Sequence, residues 1–202
     1  MPTMRIADAR LPDTAATRAA LAVAERFCST ALLEHSIRSW YWACGFAART
    51  GVEPGDPELL AVAALLHDVG LTPAFDTVAL PFETAGGNVG WAVTAGAGWA
   101  PGRRDRVIEV IERHMWPKVD PADDPEGHLL EIATALDISG ARADVLPRDF
   151  LAEVLTAHPR GALGAEFVGC MSDQAARKPG SQAARIVAGG LAAKLADYPL
   201  ER

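Results

Sequence analysis

The sequence predicts an all-α protein, and three observations carry that reading. Alanine occurs 39 times against 2 Tyr and 6 Phe in 202 residues, a composition that favours helix and starves strands. Half of the chain is hydrophobic and 22% is charged, enough apolar material for one buried core and too little length for two generous domains. Proline and glycine cut the chain into pieces of helical length, with no internal repeat.

The elements follow in order. Asp13 stands as an N-cap for a segment that runs from Thr14 to Gly45 without Pro or Gly, either one long helix or two abutting ones. Residues 51–57 form a turn in which Asp56 caps and Pro57 takes the first helical position of ELLAVAALLHDV, and Gly70 is the expected left-handed stop. After a loop over 73–81, PFETAGGNVGWAVTAGAG reads as a helix whose small residues admit a close neighbour. Pro101-Gly102 then opens RRDRVIEVIERHM. Three prolines within 116–127 forbid continuous helix there, and HLLEIATALDISGAR resumes the helical period. Pro147 starts RDFLAEVLTAH, and from Gly161 the tail gives one or two more helices with a weak spot at Gly189-Gly190. About seven helices result, in a compact single-domain bundle over 1–202.

With 19 basic and 26 acidic residues the net charge is −7, and no block of like charge occurs. Nucleic acid and anionic membrane surfaces are therefore poor partners, and a small-molecule substrate is the expectation, with a homo-oligomer left open. Cys28, Cys44 and Cys170 are odd in number and sit in apolar runs, as small core residues in a reducing compartment do. The opening MPTMRIADARLPD carries Asp8, Asp13 and two prolines where an export signal needs an unbroken apolar stretch, so the expected location is the cytoplasm.

The chemistry concentrates in a few residues. Of five histidines, His35, His67 and His114 fall inside predicted helices beside acidic residues at apolar positions, where an ionisable group needs a partner or a metal. His67 and Asp68 are adjacent at a helix end after AVAALL, so both can face one cation only at that terminus. Asp137, in ATALDISG, shares a face with Leu130, Ala133 and Ala141 and also needs a cation, unless it caps its helix or pairs with Arg142. Two imidazoles and two carboxylates suit one divalent transition ion, zinc first with iron or manganese as alternatives, and leave positions open for water. His128 and His158 lie beside loops and read as surface residues.

The order His35, His67-Asp68, Asp137 resembles the HD-domain superfamily, an all-helical fold of metal-dependent hydrolases and their relatives, over a core of about residues 32–140. The C-terminal helices of 147–198 would pack on that core. Where phosphohydrolases of that superfamily often continue HDxGK, this chain has HDVGLT, with Leu71 in place of the lysine. No histidine follows soon after the pair, which disfavours a dinuclear centre. The segments HSIR, LLHDVGLT, PFETAGGNV and VIERHMWP are similar to the cyanamide hydratase-like branch.

That resemblance implies metal held by His35, His67, Asp68 and Asp137, and a catalytic set of Asp68, His114 and Glu83, with His114 as general acid/base. Arg38, Thr72, Asn88, Trp91 and Trp116 are the expected substrate contacts. The implied reaction is addition of activated water to a small nitrile such as cyanamide. Phosphoester hydrolysis stands as the alternative enzyme reading, and a catalytically silent, metal-stabilised binding domain as the non-enzymatic one.

Overall fold

The structure is a computed structural model that describes residues 4–196 and 198–201. Among the described residues there are ten α-helices and no strand: α1 (Ala15–Phe27), α2 (Thr30–Thr50), α3 (Pro57–Leu66), α4 (Phe82–Gly96), α5 (Pro101–Arg113), α6 (Pro125–Ser139), α7 (Arg148–Ala157), α8 (Leu163–Arg177), α9 (Gln182–Ala188) and α10 (Leu191–Ala196). No described helix is long and apolar enough to cross a membrane. The fold class is the one the composition predicts.

The three helices beyond the expected seven come from three breaks. The first long segment divides at Cys28, because the Ser29 side chain accepts from the Leu32 backbone and starts a new helix. The tail divides after α8 and again at Gly189-Gly190, where Gly190 adopts φ 84°. The first cap is Thr14, whose hydroxyl accepts from Thr17, while Asp13 pairs with Arg18 instead. Gly45 does not interrupt α2; Phe150 and Leu146 fill the space its side chain would take, and the helix ends at Gly51 with φ 74°.

α3 organises the bundle. Every residue from Leu59 to Leu66 is buried, so its apolar character all round is the signature of a central helix, and α1, α2, α4, α5 and α6 surround it. A smaller apolar cluster joins Leu32, Leu71, Phe82 and Met115 to Phe167, Met171, Leu191 and Leu195, which seats α8 to α10 over one end of α3. His67 and Asp68 emerge at that end, between the two clusters.

Gly70 is not the left-handed stop the sequence suggests, since it lies in a tight 3-10 turn over Val69–Leu71 and has no positive φ. Its requirement is space. A Cβ there would stand 2.1 Å from the Phe82 carbonyl oxygen and 2.9 Å from the Gly86 nitrogen, so α4 presses directly on the turn that carries the His-Asp pair. A second tie is Asp124, which caps α6 through the Gly127 N–H and receives Arg106 and Arg113 from α5. Burial opposes its ionisation, but the two guanidiniums prevail and hold its carboxyl below the usual range.

Two outcomes follow. Gly70→Ala forces backbone against backbone and should cost more than about 2 kcal/mol in thermal or denaturant unfolding. Asp124→Asn keeps a competent cap but loses both charged partners, and should cost about 2 kcal/mol at neutral pH. A depressed folded pKa contributes stability above the unfolded value that is lost as pH falls through the folded one, so the gap between wild type and Asp124→Asn should close below about pH 4.

Candidate metal centre

α2 brings His35 to the centre, the end of α3 brings His67 and Asp68, the end of α5 brings His114, and α6 brings Asp137 to the back of His35. All are buried. The nearest donors are His35 Nε2, His67 Nε2 and an Asp68 carboxylate oxygen. The two Nε2 atoms are 3.0 Å apart, and Asp68 Oδ2 is 3.3 Å from one and 3.4 Å from the other.

The far ring nitrogens explain this orientation. His35 Nδ1 faces Asp137 Oδ2 at 2.7 Å, His67 Nδ1 faces the Ala64 carbonyl at 2.8 Å, and His114 Nδ1 faces the Ile111 carbonyl. Each partner is an acceptor, so each Nδ1 carries the proton and each Nε2 presents a lone pair to the site. Among the described residues, neither oxygen of Asp68 has a hydrogen-bond partner. The site is thus lined by acceptors, and a cation is what satisfies them. Donors about 2.0–2.2 Å from one tetrahedral ion lie roughly 3.3–3.6 Å apart, close to the spacings found, so the residues fit a zinc-type ion.

Asp137 stands elsewhere than the expected ligand set. Its Oδ1 accepts from Arg38 Nε and Trp42 Nε1, at 2.8 and 2.7 Å, and its Oδ2 accepts from Arg38 Nη2 and His35 Nδ1, both at 2.7 Å. With both oxygens occupied, the carboxylate orients His35 rather than facing the other three residues. Burial opposes its charge, yet Arg38 and His35 hold it well below the ordinary carboxylate range. The same balance raises His35: burial opposes protonation, and Asp137 and Asp68 prevail. Burial opposes the charge of Asp68 as well, and where His67 and His35 carry a second proton in place of a cation they hold it well below its usual value.

His114 sits one step back, with Nε2 3.8 Å from Asp68 Oδ1 and its ring edge-on to His67. Burial, then the neighbouring His67, pushes its pKa down to about 3, so it is a neutral imidazole near neutral pH.

A cavity of about 440 Å³ opens on this group. His35, His67, Asp68 and His114 form its floor; Ile138, Phe167, Met171 and Leu191 give apolar walls; Glu131, Gln182, Arg185 and Lys194 supply polar groups. Trp116 lines it as expected. Four expected substrate contacts do not. Arg38 is fully buried and committed to Asp137 and to the His158 and Pro159 carbonyls. Thr72 gives its hydroxyl to the Val69 carbonyl within the tight turn. Asn88 faces a separate groove beside Val23 and Phe75, and Trp91 donates to Asp105 with Arg104 over its ring.

Glu83 is buried in the first turn of α4, outside the cavity wall, with Oε2 unpartnered. Burial raises its pKa, with Glu112 and Asp68 adding to the effect. Sequence reasoning passed over Trp42, although His35, Arg38 and Trp42 follow helical spacing on one face of α2. Arg185 and Lys194 carried no such signal, because only tertiary packing brings α9 and α10 to the metal-facing end, and Glu131 on α6 was passed over as well.

Fold and site together define an all-helical protein with a buried His-His-Asp centre suited to a divalent metal. A family model described as the HD domain matches residues 32–146, more than half of the chain, so the protein belongs to the HD-domain family, whose members are generally metal-dependent hydrolases. A search of curated proteins returned no match.

Elemental analysis of the purified protein should find about one divalent ion per chain. His67→Ala should abolish binding and lower the melting temperature. Asp137→Asn should keep the stoichiometry while weakening affinity by about 10- to 100-fold. Complete loss in Asp137→Asn, equal to that in His67→Ala, would return Asp137 to the ligand set.

Proposed function

We propose that this protein is a metal-dependent hydrolase of organic anions with a sizeable apolar group, phosphate monoesters first among them. The observation that carries the reading is the cavity: about 440 Å³, walled by apolar side chains, with the metal-facing residues at its floor and the exposed Arg185 and Lys194 at its rim. That volume falls in the range of about 300–1,000 Å³ typical of small-molecule sites and is far larger than cyanamide needs. The missing lysine after the His-Asp pair argued from sequence against phosphate. Leu71 at that position is buried in the smaller core cluster, but α9 and α10 bring cations to the cavity from the other side.

His35, His67 and Asp68 would hold the ion, and Asp137 would fix His35 in the tautomer that offers Nε2. A divalent ion there supplies Lewis acidity to a substrate oxygen and makes a water more acidic. His114, buried next to Asp68, is placed to take the proton that water loses as it attacks and to return it to the leaving oxygen. Arg185 and Lys194 hold anionic oxygens as the new bond to water forms and the ester bond breaks. Phe167, Met171 and Ile138 desolvate the organic group and keep bulk water from the centre.

Nitrile hydration is the second reading; it rests on the sequence segments around the metal residues and on the neutral imidazole of His114. A panel of alkyl and aryl phosphates, nucleotides and cyanamide separates the two. Metal-dependent turnover of the apolar phosphates, weakened by Arg185→Ala with Lys194→Ala, is the expected result. Cyanamide turnover with no phosphate turnover would favour the second reading. His114→Ala should retain metal and lose roughly 100-fold or more in rate. Metal loss in that variant would make His114 a ligand.

A further inference from the structure

α6 has two working faces. Asp137 is turned toward α2, while Glu131, Thr134, Ala135 and Ile138, at successive helical spacings, line the cavity. Glu131 is out of place among them. Its side chain is only 7% exposed, and the wall it belongs to is otherwise apolar or hydroxylic. Its ion-pair partner among the described residues is Arg142, with Nη1 at 3.5 Å from Oε1, the outer limit of a hydrogen bond, and that guanidinium is itself half-exposed; the His128 imidazole is a further neighbour of the carboxyl. Among the described residues Oε2, sealed from solvent in this structure, has no hydrogen-bond partner. Burial accordingly raises the pKa of the carboxyl, with Arg142, His128 and the Val119 backbone offsetting only part of the effect.

An unpartnered carboxylate oxygen in a cavity wall is costly unless something docks against it, and a buried acceptor discriminates strongly in favour of ligands that bring a donor. We infer that Glu131 is a specificity-determining residue that selects substrates carrying an amine or similar cationic N–H group, in addition to the anionic group held at the rim. The substrate class is then a zwitterion: an apolar body, an anion for Arg185 and Lys194, and an ammonium for Glu131. This refines the proposed function and rests on it for the anionic end.

Phosphonates test it, because their carbon–phosphorus bond resists hydrolysis while the metal-loaded protein is titrated. Calorimetry would compare butyl-, hexyl- and octylphosphonate with their ω-amino counterparts. At least one aminoalkyl ligand should bind about tenfold or more tightly than its plain analogue, as a charge-assisted hydrogen bond allows. Glu131→Gln should erase that preference to within about twofold while leaving the plain analogue's affinity unchanged; two-fold is the scatter expected for an interaction worth nothing. Glu131→Leu should do the same and covers the case in which the amide variant folds poorly. Equal binding of the two series by wild type, or a preference that survives both substitutions, would overturn the inference and leave the proposed function standing. Binding of neither series would overturn both.

Discussion

A carboxylate sealed from water has to find positive charge, and this fold seals two of them on either side of one imidazole. His35 lies between Asp137 at 2.7 Å and Asp68 at 3.3 Å, and all three side chains are essentially inaccessible. The protein supplies one guanidinium, Arg38, and spends it on Asp137 together with Trp42. Asp68 receives no such partner. Transfer of an unpaired carboxylate into an apolar interior is too costly to leave uncompensated, so the vacancy in charge at Asp68 is what a divalent ion would fill.

The rest of the bundle serves that arrangement. α3 must be apolar on every side because it delivers His67 and Asp68 from the middle of the core, and Gly70 must lack a side chain because α4 closes against the turn that follows them. The Arg38–Asp137 pair joins α2 to α6 at the depth of the site with two hydrogen bonds, and His35 and Trp42 donate two more, so both carboxylate oxygens are satisfied. Such a pair contributes little net stability but is expensive to break from one side. It therefore fixes the position of His35 more than it strengthens the fold.

Much of this was legible along the chain. The Ala-rich composition, the caps at Asp56 and the break at Gly189-Gly190 follow from local rules, and the structure repeats them. His35, His67 and Asp68 stood out because ionisable groups in apolar helices are rare, and they do converge. Asp137 showed the same anomaly, but sequence could not decide between two cations. Its helix faces Arg38, which lies one turn from His35 on α2, and that guanidinium reaches it directly. Asn88 and Trp91 were misplaced because α4 turns its glycine face, Gly86, Gly87 and Gly90, inward against the turn and α5, which sends those two side chains outward. The cavity wall from α8 to α10 was invisible for a different reason. Phe167, Arg185 and Lys194 sit in ordinary amphipathic segments, and nothing local says which end of the bundle those segments cover.

The group of acceptors around Asp68 is built for one divalent ion, with Asp137 behind it. Anomalous diffraction from crystals of the zinc-loaded protein, recorded at the zinc absorption edge, addresses that claim directly. The expected map shows a single ion about 2.0–2.2 Å from His35 Nε2, His67 Nε2 and an Asp68 oxygen, with Asp137 still bonded to Arg38 and Trp42. An ion bound elsewhere, no ion at all, or an ion held by Asp137 after Arg38 has let it go would contradict it.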